Sequence, residues 1–173
     1  MALATWAKAG VHPAVRQDAG SYTGAAYIFI EQSTGNNAII VAAGAAGRVS
    51  TEDVEAKADL IESAAIFVTQ LEQPIAATLR GLQIARAAGV TTILNPAPAA
   101  TLPDSMLALC DFLTPNESEA EALTGLPVTS VDEARIAAVE EKIDAAIEEG
   151  QYAIGEGLEA GIAIGTKQVH QKS

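Results

Sequence analysis

The sequence predicts an α/β fold: a parallel sheet flanked by helices and preceded by a β-hairpin. Three observations predict it. Short apolar or β-branched runs at 65–71, 91–94 and 111–113 alternate with stretches whose apolar residues recur at helical spacing. Proline and glycine stand where those helices should start and stop, at Pro74 and Gly89 and again at Gly125 and Pro127. Hydrophobic residues make up 49% of the chain and charged residues 18%, which suits a packed core rather than disorder. Strand–helix–strand alternation at this spacing gives right-handed βαβ units, and in such sheets ligands bind beyond the carboxyl ends of the strands. Attention therefore falls on 70–73, 95–99 and 114–119.

Taken in order, Ala2 to Ala9 has helical composition and is stopped by Gly10 and Pro13. Tyr22 to Glu31 reads as a strand through Tyr27, Ile28, Phe29 and Ile30; Ser33-Thr34-Gly35-Asn36 forms a turn, and Ala38 to Val41 returns. That hairpin is apolar on both faces and needs a cover. Ser50 with Asp53 marks a helix start, and Val54, Ala58 and Ile61 give that helix one face. After the strand in 65–71, Pro74 opens a helix striped by Ile75, Leu79, Leu82 and Ala85 and closed by Gly89. Thr91 to Leu94 and Asp111 to Leu113 are the next strands, with a short helix around Ser105 to Leu109 between them.

Asn116 to Glu119 opens another helix. Ser130 with Glu133 has the capping-box pattern at the start of a long helix to Glu149, with Ile136, Val139, Ile143 and Ile147 as its buried stripe. Gly155, Gly157, Gly161 and Gly165 break up the tail, which receives no assignment. The expected organisation is one domain over 1–173: a hairpin at 22–41, a βαβ core at 51–127, and a long helix with its tail at 131–173.

The formal net charge of −12 repels nucleic acid and anionic membrane surfaces, so neither is an expected partner. No apolar run approaches the ~20 residues of a membrane helix. Met1 to Val11 has no apolar stretch of signal-peptide kind, so the expected location is the cytoplasm. The sole cysteine, Cys110, lies in an apolar run and reads as core rather than nucleophile. His12 and His170 have no companions at zinc-ligand spacing. The tail glycines do not match phosphate-loop spacing, and G-x-S-x-G is absent.

Three strand ends carry polar groups. Glu72 follows a buried strand, where its carboxylate serves either as an acceptor for sugar hydroxyls or as an exposed charge favoured by the helix dipole. Asn95-Pro96-Ala97-Pro98-Ala99 is a stiff strand exit that either lines a pocket or is simply a turn. Asn116 and Glu119, three residues apart at a helix start, suit a hydrated Mg²⁺ with nucleotide phosphates, or a capping box worth about 1 kcal/mol.

These sites occur in one recognisable frame. The stretches YTGAAYIFIEQSTGNNAIIVAAGAAGRVS, VTQLEQP and TTILNPAPAATLPDSMLALCDFLTPNESEAEALTG follow one another in order. The segment from Leu3 to Ala137 thereby resembles the central part of the ribokinase-type sugar kinases. The resemblance implies a partial ribokinase-like sheet with Mg²⁺ and ATP as cofactors and a sugar and a nucleotide as ligands. It makes Glu72 a sugar contact, puts Asn95 in the cleft near the nucleotide phosphates, and makes Asn116 and Glu119 the N-x-x-E pair that organises magnesium through water. The 22–41 hairpin matches the lid that closes over the sugar and pairs with a second lid, so a homo-oligomer is expected through the hairpin or an exposed sheet edge.

The departures matter equally. The family's G-G-K-G-x-N segment and its sugar-binding aspartate have no counterpart, and the chain contains no Gly-Asp dipeptide, where the family's G-A-G-D supplies an anion hole and a general base. Beyond Val139 the likeness ceases. The expectation is a truncated or rearranged sugar kinase with little turnover alone, since losing a base and an anion hole costs orders of magnitude in rate. Two rival readings remain: a non-catalytic oligomerising module, and an enzyme of new, for example hydrolytic, activity using Glu72 or Glu119 as acid or base. The catalytic residues stay unassigned.

Overall fold

The structure, a computed structural model, describes residues 2–139, 151–154 and 164–167. The chain divides into two compact units, 1–45 and 46–173.

In the first unit, α1 (Ala2–Lys8) ends before Gly10, and β1 (Ala25–Ile30) pairs antiparallel with β2 (Asn37–Ala42), Ala25 opposite Ala42 and Ile30 opposite Asn37. The turn closes because Gly35 adopts φ +77° and its N–H donates to Glu31 O at 2.8 Å. The Thr34 hydroxyl donates to the Glu31 carboxylate at 2.6 Å. Tyr27 and Phe29 meet edge to face, 4.6 Å between ring centroids. Ile28, Ile30, Ile39, Ile40 and Val41 are exposed alongside them, so both faces of the hairpin present apolar surface, as its sequence requires.

The second unit begins with α2 (Thr51–Glu55) and α3 (Ala58–Glu62). Ser50 and Asp53 form the expected reciprocal capping box. The single helix expected from Val54, Ala58 and Ile61 is in fact two, because Lys57 leaves helical geometry at φ −123°, ψ 17°. Next come β3 (Ile66–Thr69), α4 (Ile75–Ala87), β4 (Thr91–Leu94), α5 (Asp104–Leu107), β5 (Phe112–Leu113), α6 (Glu117–Thr124), α7 (Val131–Val139), β6 (Gln151–Ile154) and β7 (Ile164–Lys167).

The sheet runs β3-β4-β5-β7-β6. The first three strands are parallel, with Thr69 beside Leu94 and Leu94 beside Leu113, as the βαβ alternation predicts. The tail, left unassigned from sequence, adds β7 antiparallel to β5 and β6 antiparallel to β7, so the described sheet is mixed. Helix α4 covers one face. Leu71, Leu82, Leu94, Met106, Cys110 and Leu113 form the core there, with Phe67 packed against it. Gly81 permits this contact, since a Cβ at that position would lie 2.6 Å from the Phe67 ring. Burial pushes the Cys110 thiol up to about 12, which makes it the inert core residue expected. Ile66 and Val68 of β3 point to the other face and are exposed, and β3 is an edge strand.

At the amino end of the sheet, Asp111 ties β4 to β5. It accepts from Thr92 N at 2.8 Å and from Arg86 Nη1 at 2.7 Å, while Thr92 Oγ1 donates to Leu109 O at 2.7 Å. Helices α6 and α7 meet through Ala120, Val128, Ala134 and Ala137. The expected stripe is corrected here: Ile136 is 52% exposed, because the small residues Ala134 and Ala137 make the close helix contact. Ile143, Ile147 and the side chain of Val139 lie outside the described residues.

Candidate functional site

The carboxyl ends of β3, β4 and β5 lie in register, and the three polar loops leave from them. Glu72 stands three residues beyond β3, Asn95 one beyond β4, and Asn116 three beyond β5. Backbone hydrogen bonds bind the rim sideways: Asn95 N donates to Thr69 O at 2.9 Å, Leu71 N to Ala97 O at 2.9 Å, and Thr114 N to Leu94 O at 3.0 Å. Glu72, the 95–99 loop and the start of α6 are therefore successive stations along one edge.

Glu72 is exposed and accepts no described hydrogen bond, so its carboxylate is open to a ligand with hydroxyl or N–H donors. Its turn is fixed. Leu71 is in the core on one side, and on the other the two hydrogens of Gln73 Nε2 are shared among three acceptors in reach, Thr69 Oγ1 at 3.0 Å, Gln70 O at 2.9 Å and Thr78 Oγ1 at 3.1 Å. The Thr78 hydroxyl donates to the same Gln70 carbonyl at 3.2 Å. Sequence reading included Gln73 in the 70–73 rim but gave it no role, and it missed Thr78; a polar residue just before Pro74 with a hydroxyl one turn into the helix was the available signal.

Asn95 is half-buried, and its Oδ1 accepts from Ala97 N at 3.1 Å, which stiffens the proline-rich exit into a turn. Its side-chain N–H₂ is free to face a ligand, with no described partner.

Asn116 and Glu119 form a complete capping box. Glu119 N donates to Asn116 Oδ1 at 2.9 Å, and Asn116 N donates to Glu119 Oε2 at 2.9 Å. Asn116 Nδ2 donates to Glu119 Oε1 at 2.9 Å, and Ser118 Oγ adds a fourth bond, donating to Asn116 Oδ1 at 2.9 Å. Glu119 is only 6% exposed, and Gly125, at φ +72°, ends the helix. Each carboxylate oxygen accepts one bond and keeps lone pairs, so the hard oxygens fit a magnesium ion reached through water. No group of three or more His, Cys, Asp or Glu able to hold a metal ion occurs among the described residues. His12 is exposed in the first unit, and His170 lies outside the described residues.

Residues 1–150 match the family model for the pfkB family carbohydrate kinases. The chain belongs to that family. It is 47% identical over 108 residues to a ribokinase of Staphylococcus aureus, covering 62% of this chain and 35% of that protein. Among solved structures, a ribokinase from Giardia lamblia superposes with a TM-score of 0.74 at 25% identity, over 88% of this chain and 48% of that one. An Arabidopsis thaliana ribokinase complexed with ribose and ATP gives a TM-score of 0.64 at 30% identity, over 80% and 44%. The chain thus spans about a third of the length of the curated relative it matches. Membership of the pfkB family and the α/β fold stand on these likenesses and on the parallel β3-β4-β5 core. No described helix is long and apolar enough to cross a membrane.

Proposed function

We propose that this chain carries the sugar- and nucleotide-facing rim of an ATP-dependent pentose kinase, with ribose or a similar sugar as acceptor. One observation carries the reading: three parallel strands end in register and present Glu72, Asn95 and the Asn116/Glu119 pair along one edge. Glu72, with its free carboxylate, accepts hydrogen bonds from sugar hydroxyls. Asn95 lines the cleft beside the phosphates. Asn116 and Glu119 hold hydrated magnesium, which neutralises phosphate charge when bound. A local cation is needed, because the chain's net charge of −12 opposes a nucleotide. The relative complexed with ribose and ATP supports this choice of ligands. A cytoplasmic location accords with it.

Phosphoryl transfer also needs a base and an anion hole, and these 173 residues contain no Gly-Asp pair to supply them. The chain by itself therefore binds with little turnover. Calorimetric titration with D-ribose and with Mg-ATP, beside a coupled ATP-consumption assay, tests both parts. Saturable ribose binding that Glu72→Gln weakens about tenfold is the expected result. Absence of binding to either ligand contradicts the reading, and turnover at the usual rate of kinases contradicts its second part.

A second reading, assembly through self-association, has its own support. The hairpin exposes apolar side chains on both faces and β3 is an open edge, so a homo-oligomer through either surface is proposed. A monomer in light scattering at micromolar concentration contradicts it.

A further inference from the structure

Helix α4 starts without a conventional cap. Pro74 occupies the N-cap position and offers no side-chain acceptor. The polar groups around that start come instead from Gln73 and Thr78. The carbonyl oxygen of Gln70 can only accept, so the group facing it must be the amide nitrogen of Gln73. That nitrogen also meets the hydroxyls of Thr69 and Thr78. Thr69 is 8% exposed and Thr78 2%, so the bonds to their hydroxyls are partly buried, where a missing partner costs more than at the open surface.

The Gln70–Gln73 turn is thus held at three points. The Gln70 carbonyl is taken by Gln73 and Thr78, the Leu71 side chain is in the core, and the Leu71 N–H reaches Ala97 O in the loop after β4. Glu72, between Leu71 and Gln73, has a side chain with no described partner inside the protein, as has the exposed Gln70, but Glu72 alone carries a carboxylate. A free carboxylate on a fixed backbone is what a pre-organised ligand contact requires, since less ordering remains to be done on binding.

We propose that Gln73 is a positioning residue. Its side-chain amide, locked to Thr69, Gln70 and Thr78, sets the turn so that the Glu72 carboxylate stands at a fixed distance from the Asn95–Ala97 loop. Gln73 does not touch the sugar; it acts through Glu72 and through the Leu71–Ala97 hydrogen bond. The ligand named for Glu72 rests on the proposed pentose-kinase reading, whereas the clamp itself does not.

The experiment uses the 173-residue chain and five variants: Gln73→Leu, Thr78→Val, Thr78→Ser, Glu72→Gln and the double variant of Gln73→Leu with Glu72→Gln. Amide hydrogen exchange is followed at Leu71, with the Asp111 amide, bonded to Thr92 at the other end of the sheet, as the control for global loosening. D-ribose affinity is measured alongside. Gln73→Leu and Thr78→Val should each speed exchange at Leu71 about tenfold, leave Asp111 unchanged and weaken ribose binding about tenfold, and Thr78→Ser should restore both. In the Glu72→Gln background, Gln73→Leu should cost no further ribose affinity, a non-additivity that a merely structural role would not give. Unchanged Leu71 exchange in Gln73→Leu overturns the clamp, and fully additive losses overturn its action through Glu72. Should the unaltered chain bind no ribose while Gln73→Leu still frees Leu71, the kinase reading falls and the clamp stands.

Discussion

Glu72 and Glu119 lie on the same edge of the same sheet and are used in opposite ways. Glu119 is buried, and both of its carboxylate oxygens are engaged by Asn116. Glu72 is exposed, and its carboxylate meets nothing else in the protein that the structure describes. The difference teaches that family likeness alone does not separate a residue built into the fold from one left open to a ligand. Glu119 is the first whatever else it does, because the start of α6 depends on it. Glu72 contributes little to the fold and is placed by its neighbours.

The comparison breaks most visibly at Glu119. Glu119→Ala leaves the Asn116 N–H and side-chain amide without their acceptor, and should lower stability by about 2–3 kcal/mol in urea unfolding. Glu72→Gln should change stability by less than about 0.5 kcal/mol yet weaken ribose binding about tenfold by calorimetry. If the two substitutions cost equal stability, the contrast fails. Asn116→Ala should fall between them, at about 1 kcal/mol of stability, with loss of Mg-ATP affinity in the same titration.

The weakest expected effect sharpens the comparison from outside. At the start of α7, the Thr129 hydroxyl and then its backbone N–H donate to Glu133 at 2.6 and 2.7 Å and hold that carboxyl below its ordinary value. A depressed folded pKa contributes stability above the unfolded value, about 4.5, that is lost as pH falls through the folded one. The site is open to water, so the loss should be small; Thr129→Val, which removes the hydroxyl but keeps the backbone N–H, should reduce it on the acid limb of a stability–pH curve.

Much of this was legible from the residues. The β-branched runs at 65–71 and 91–94 gave β3 and β4, although β3, expected to be buried, is an edge strand with Ile66 and Val68 exposed. Asn116 with Glu119 announced a box at the right spacing, and the structure realises it. The hairpin's two apolar faces were equally plain. Other parts depended on long-range geometry. The glycine-broken tail has no period to reveal β6 and β7, whose pairing depends on β5. Ile136 looked like core by hydrophobicity, but close packing of α7 on α6 selects Ala134 and Ala137. The Gln73 clamp joins residues four, three and five positions away around a turn, and only the turn's shape brings them together. Which side chains of the rim face solvent is likewise a property of the loops.

On the proposed reading, one edge of the sheet gathers the sugar and nucleotide contacts. Backbone amide chemical-shift mapping of the ¹⁵N-labelled chain tests it most directly. D-ribose should perturb the amides of Gln70 to Gln73, and Mg-ATP those of Asn95, Ala97 and Asn116 to Glu119. Shifts confined to the opposite end, around Arg86 and Asp111, or none at saturating ligand, would contradict it.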